Sequence, residues 1–177
     1  MAMKKHVALS LLVMTALGVV ASHLDWEQHD DSYLLRVDGV AVDVRGHLSA
    51  ALNRATRRCD GVAHIQLGDM PSNPTAMAMK QAISEYSPPD SRRMQLLQLL
   101  SSGPWILAEV EFLALEPAVI VLEKNASGMP IHHHLIWSGS TQPWVSGPWI
   151  RRYLQQRAPQ VPSDLWACFD PTPALFD

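Results

Sequence analysis

The chain has 177 residues, 47% of them hydrophobic, and sets 14 lysines and arginines against 17 acids for a net charge of −3. That length suits one domain, with a core large enough to need neither a metal nor a dense disulfide framework to fold. The acidic balance argues against nucleic acid as a partner, because proteins that grip phosphate backbones are basic on at least one face.

The amino terminus carries an export address. Lys4, Lys5 and His6 form a short basic region. Residues 7–20 are apolar apart from Ser10, Thr15 and Gly18, and Val19-Val20-Ala21 offers small residues before a cleavage point. This pattern predicts a cleavable signal peptide over residues 1–21. The apolar run is short for a membrane span of about 20 residues, so no stable span is expected after cleavage; an uncleaved anchor is the alternative. Cleavage removes two of the 14 basic residues and no acid, so the net charge moves from −3 to −5. Residues 22–177 then form one α/β domain, exported to the periplasm, with a Pro-rich tail over residues 158–177.

Along this domain, residues 22–31 read as a polar, mobile lead-in. Residues 33–37 and 40–44 are short β-like runs around Asp38-Gly39, a strong hairpin signal. Residues 47–58 predict a helix with Leu48, Ala51, Leu52 and Ala55 as its apolar stripe. Residues 61–68 predict a strand, and residues 75–86 a helix with Met79, Ala82, Ile83 and Tyr86 inward. After Ser87-Pro88-Pro89, Asp90 is expected to cap a further helix running to Ser101.

The second half reads as strands. Residues 105–113 alternate, with Glu109 and Glu111 on the face opposite Ile106, Ala108 and Val110. Two carboxylates at this spacing suit acid/base chemistry, but a solvated face explains them as well. Residues 118–122 form an unbroken apolar run, as in a strand buried on both faces. Residues 131–137 return, and Ser146 is expected to cap a last helix with Pro148 in its first turn. Its inner face is Trp149, Ile150, Tyr153 and Leu154, and its outer face Arg151, Arg152 and Arg157. Ser102-Gly103-Pro104-Trp105-Ile106 recurs as Ser146-Gly147-Pro148-Trp149-Ile150, a reuse of turn chemistry.

Cys59 and Cys168 are the only cysteines. In an oxidising compartment a lone pair reads as one structural disulfide. A redox pair is the alternative, although no Cys-x-x-Cys spacing supports it.

Among chemistry-bearing residues, His132 and His134 share one face of a strand, and His64 on another strand would supply the third ligand of a zinc site. The alternative is half-buried aromatic histidine with no cofactor. Ser138-Gly139-Ser140-Thr141 lacks the Gly-x-Ser-x-Gly elbow of a nucleophile and reads as a turn. Trp137, Trp144 and Trp149 cluster around this turn, and tryptophan is enriched at binding hot spots. Trp149 is expected in the core and Trp144 at the surface.

Glu116-Pro117-Ala118-Val119-Ile120-Val121, then Leu135-Ile136-Trp137-Ser138-Gly139, then the helix from Ser146 give an order of proline, buried strand, hairpin, strand, glycine turn and helix. Residues 116–156 thereby resemble the carboxyl-terminal half of thioredoxin-like proteins, and most closely the exported members of conjugative and integrating-element systems. The resemblance implies a thioredoxin-like fold with Pro117, usually cis in that family, facing a binding surface. It does not extend to a Cys-x-x-Cys.

These readings predict a mixed central sheet of about four to five strands flanked by helices. The leading functional expectation is a non-catalytic envelope protein that binds another protein through Pro117, Trp137 and Trp144, as an accessory of a conjugation or secretion apparatus. A periplasmic metal-binding protein or metal-dependent enzyme using His132, His134 and His64 is the second. An immunity or inhibitor protein, whose acidity would suit a basic toxin, is the third.

Overall fold

A computed structural model describes residues 18, 21–29, 32–65, 71–87, 89–126 and 128–176. The expected signal peptide therefore lies almost wholly outside the described residues, as do residues 66–68 of the strand expected over 61–68.

Residues expected as a lead-in instead form strand β1 (Leu24–His29), antiparallel to β2 (Ser32–Val37). Five of its six residues are exposed, so no hydrophobic alternation betrays the strand. Pairing and the Arg36–Glu27 ion pair at 2.9 Å hold it. The expected hairpin follows. Asp38 and Gly39 both take positive φ, 51° and 82°, and turn the chain into β3 (Val40–Val42). A two-residue turn of this hand matches the twist of the flanking strands.

Helix α1 (Val44–Thr56) starts three residues earlier than the periodicity suggests, because Asp43 caps it by accepting from the Gly46 amide at 2.7 Å. The stripe expected to face the core does not. Leu48 and Leu52 are 66% and 65% exposed, while Gly46 and Ala50 are buried. The packed face is the one with small residues, where another helix comes close.

β4 (Ala63–Ile65) and α2 (Pro74–Tyr86) follow. Asn73 caps α2 by accepting from the Thr75 and Ala76 amides, and Ala76, Met79 and Ile83 are its buried face. Tyr86, expected inward, is largely exposed.

The largest departure comes next. The helix expected after Asp90 is a single 3-10 turn, Asp90–Arg92, and then strand β5 (Met94–Ser102). A bulge between Leu96 and Gln98 explains the false helical signal. It interrupts the alternation, so Leu96 and Leu99 pack on one side of the sheet and Leu100 on the other. Apolar residues three and four apart thus arise in a bulged strand as they do in a helix.

β6 (Trp105–Phe112), β7 (Ala118–Glu123) and β8 (Ile131–Ser138) complete a five-stranded sheet in the order β4-β5-β6-β7-β8. Every pair in it is antiparallel, not mixed as expected. Turns such as Gly103-Pro104 between β5 and β6 are too short for the crossover that parallel strands need. β7 is buried on both faces, as its apolar run predicted. Val119 and Val121 join one cluster, and Ala118, Ile120 and Leu122 the other.

Helices cover both faces of this sheet. α2 packs on one. On the other lie α3 (Ser146–Arg157), α4 (Ser163–Cys168) and the short α5 (Pro173–Phe176). The tail is thus core rather than a loosely fastened appendage: Ala158, Val161, Leu165, Trp166, Phe169 and Phe176 are all buried. Cys59 and Cys168 form the expected disulfide, with S–S 1.97 Å and Cα–Cα 5.7 Å.

Candidate functional site

α1 and α3 pack where Gly46 lets them approach. A Cβ on Gly46 would overlap the Asp43 carboxylate and meet the Val145 side chain at 2.9 Å. Asp43 is buried and fastens both helix starts: its second oxygen accepts from the Val145 amide at 3.1 Å. Val145, and not Ser146, is the cap residue of α3; Ser146 lies inside the helix, buried. The side-chain acceptor for this end comes from Asp43, which sequence proximity could not reveal.

A cleft of about 630 Å³ opens between the two helices. α1 contributes Arg45, Ser49 and Asn53, and α3 contributes Pro148, Trp149, Arg152 and Gln155. Tyr33 and Trp144 close one part, and Arg151, Trp166 and Ala167 form another. Asn53 is held by donating to the Ala167 carbonyl at 2.8 Å.

Trp144 and Trp149 dominate this surface. Their rings stack at 5.2 Å with only 3° between planes. The expected division, Trp149 in the core and Trp144 outside, gives way to two half-buried indoles. His29 meets Trp144 edge-on at 5.8 Å, and the Arg152 guanidinium lies 4.7 Å over Trp149. Such contacts hold the rings in place while leaving aromatic surface at the cleft.

Arg151, expected on the outer face, is buried. It donates to the Phe169 carbonyl at 2.7 Å and lies 3.9 Å from Asp170, which Arg54 and Arg57 also approach at 3.9 and 3.7 Å. Burial lowers its pKa and Asp170 opposes that shift; the group remains cationic at neutral pH.

Glu109 is not on a solvated face. It is 1% exposed, accepts from the Thr172 amide at 2.7 Å and lies 3.3 Å from the Thr172 hydroxyl. Burial raises its pKa, the Thr172 hydrogen bonds pull it back, and Asp170 adds to the rise. Glu111 is exposed, so the two carboxylates occupy different surroundings and make no acid/base pair.

The histidines do not converge. His132 and His134 are exposed on β8 with ring centroids 5.7 Å apart. His64 is on β4, at the opposite edge of the sheet. Four strand spacings, about 19 Å, separate those edges. Among the described residues no group of three or more His, Cys, Asp or Glu is placed to hold a metal.

Of the residues expected to bind a partner, only Trp144 lines the cleft. Trp137 packs edge-on against Tyr153 at 4.8 Å, and its buried indole N–H has no hydrogen-bond partner among the described residues. Pro117 is half-buried ahead of β7, and its carbonyl faces the Gly139 amide at 3.4 Å. The cis peptide bond among the described residues precedes Pro143, not Pro117. The Ser140 and Thr141 hydroxyls both donate to the Phe176 carbonyl, which suits the structural reading of that loop. The recurring pentapeptide serves two settings, a hairpin turn between β5 and β6 and the first turn of α3.

The chain matches no family model, no curated protein and no solved structure. Among the described residues, no helix is long and apolar enough to cross a membrane.

Proposed function

We propose that this is an exported, non-catalytic protein that binds another protein through the cleft between α1 and α3. The observation that carries the reading is the Trp144–Trp149 stack, half-buried and positioned by His29 and Arg152 at the mouth of that cleft. Rigid, partly exposed indoles supply large contact area at small entropic cost, which is why they recur at interface hot spots. The signal-like amino terminus and the Cys59–Cys168 disulfide support a periplasmic setting. The strand–hairpin–strand–helix order of residues 116–156 supports a thioredoxin-like reading of that stretch, and with it an accessory role in a conjugation or secretion apparatus.

The test is retention of periplasmic proteins by the immobilised, oxidised protein. Trp144→Ala and Trp149→Ala variants with unchanged near-native melting should lose a protein that wild type retains. Identical retention by all three would refute the cleft as the binding site.

A further inference from the structure

Charge is segregated sharply in this chain. Residues 44–58, spanning α1 and the turn after it, carry four arginines and no acid; residues 146–157, α3, carry three and no acid. Yet the whole chain has more acids than bases. Both helices wall the cleft, and the acids near it are committed. Asp43 accepts two backbone amides, and Asp170 alone faces Arg54, Arg57 and Arg151. Arg45 and Arg152 line the cleft without an ion pair among the described residues.

Arg45 also sits in the first turn of α1, where the helix dipole disfavours a cation. A fold selected for stability alone has no use for it there. Beside it on the same helix, Val44, Leu48 and Leu52 repeat every fourth residue and are exposed. Such spacing lines them up as one apolar row. Leu48 and Leu52 lie three residues along α1 from the cleft residues Arg45 and Ser49 and outside the cleft lining itself, so the basic, aromatic cleft is bordered on α1 by exposed aliphatic surface.

We infer that the partner presents an acidic amphipathic peptide segment, whose carboxylates meet Arg45 and Arg152 and whose apolar side chains cover Trp144, Leu48 and Leu52. The inference rests on the cleft reading above and adds the chemistry of the occupant. The aliphatic row selects a peptide over a nucleic acid, since a phosphate backbone has nothing to bury against Leu48 and Leu52. Complementary charge would also speed and orient the encounter.

The test uses fluorescence anisotropy on the purified, oxidised protein with defined probes. These are a labelled helical peptide with leucine on one face and glutamate on the other, its lysine-for-glutamate counterpart, its serine-for-leucine counterpart, and a single-stranded oligothymidylate. The Glu/Leu peptide should bind, and either Arg45→Glu or Arg152→Glu should weaken it about tenfold. The serine version should bind more weakly and the lysine version not at all. Equal binding of the lysine peptide, indifference to both charge reversals, or tighter binding of the oligonucleotide overturns the inference. If these fail while retention of a periplasmic protein still depends on Trp149, the acidic occupant is wrong and the cleft stands. If retention is also indifferent to Trp149→Ala, the cleft reading falls with it.

Discussion

The Asp43 carboxylate holds the Val145 amide at 3.1 Å across a sequence separation of 102, while its other oxygen holds Gly46 at 2.7 Å. One side chain thus caps α1 and anchors the start of α3, fixing the width of the cleft. Asp43→Ala should cost about 1–3 kcal/mol, combining a lost cap with an unpaired amide. Asp43→Asn keeps one acceptor oxygen and should fall between. Urea midpoints of the three proteins check this; an Ala variant as stable as wild type would show that the tie is incidental.

Arg151 supports the same region from below. Its guanidinium donates to the Phe169 carbonyl inside the core. Arg151→Ala leaves that carbonyl unpaired and should cost roughly 2–3 kcal/mol. Arg151→Lys keeps a cation and a donor for the Phe169 carbonyl and should recover part of that loss, whereas a purely steric role for the long side chain would make the lysine nearly equal to wild type. Thermal melting of both variants distinguishes a packing role from a hydrogen-bonding one.

The disulfide joins residues separated by 109 positions. A loop of that length contributes about 4–5 kcal/mol in the chain-entropy view. It ties the turn after α1 to the end of α4, so reduction should also loosen the cleft. Dithiothreitol is expected to lower the urea midpoint strongly and to weaken binding at Trp144 and Trp149. A reduced protein with an unchanged midpoint would remove the structural role given to Cys59 and Cys168.

Zinc should not stabilise the fold. His132 and His134 alone offer two exposed imidazoles, and His64 is across the sheet. A ligand that binds only the folded state raises its melting temperature. Added zinc or a chelator should therefore leave melting where it is, and His132→Ala combined with His134→Ala should change nothing further. A zinc-dependent rise lost in that double variant would restore the metal reading.

What the sequence made legible was local. Asp38-Gly39 specifies its turn through backbone conformation, and β7 its burial through five consecutive apolar residues. β5 was misread because a bulge gives Leu96 and Leu99 helical spacing within a strand. α1 was misread because its exposed stripe is more apolar than its packed one, and Gly46 does its work by being small. Of the three tryptophans singled out, Trp144 and Trp149 line the cleft and Trp137 does not, and only the fold brings Trp149, expected in the core, beside α1. Arg151 and Glu109 looked solvent-facing by periodicity, because the tail that covers them follows no period.

Glu109 gives the last test, and it concerns that tail. Its folded pKa lies above the ordinary 4.5, chiefly because burial penalises the charge. Above the folded value the charged group costs stability. As pH falls through the folded value toward 4.5, the folded state takes up the proton first and the cost disappears. Glutamine keeps the shape of the neutral form at every pH, can still accept from the Thr172 amide, and lets the Thr172 hydroxyl turn to accept. Glu109→Gln should therefore be more stable than wild type at neutral pH, with the gap closing in mild acid. Urea midpoints of both proteins at the two pH values decide it: a gap that widens on acidification, or a glutamine variant less stable at neutrality, would mean that the charged carboxylate holds the tail.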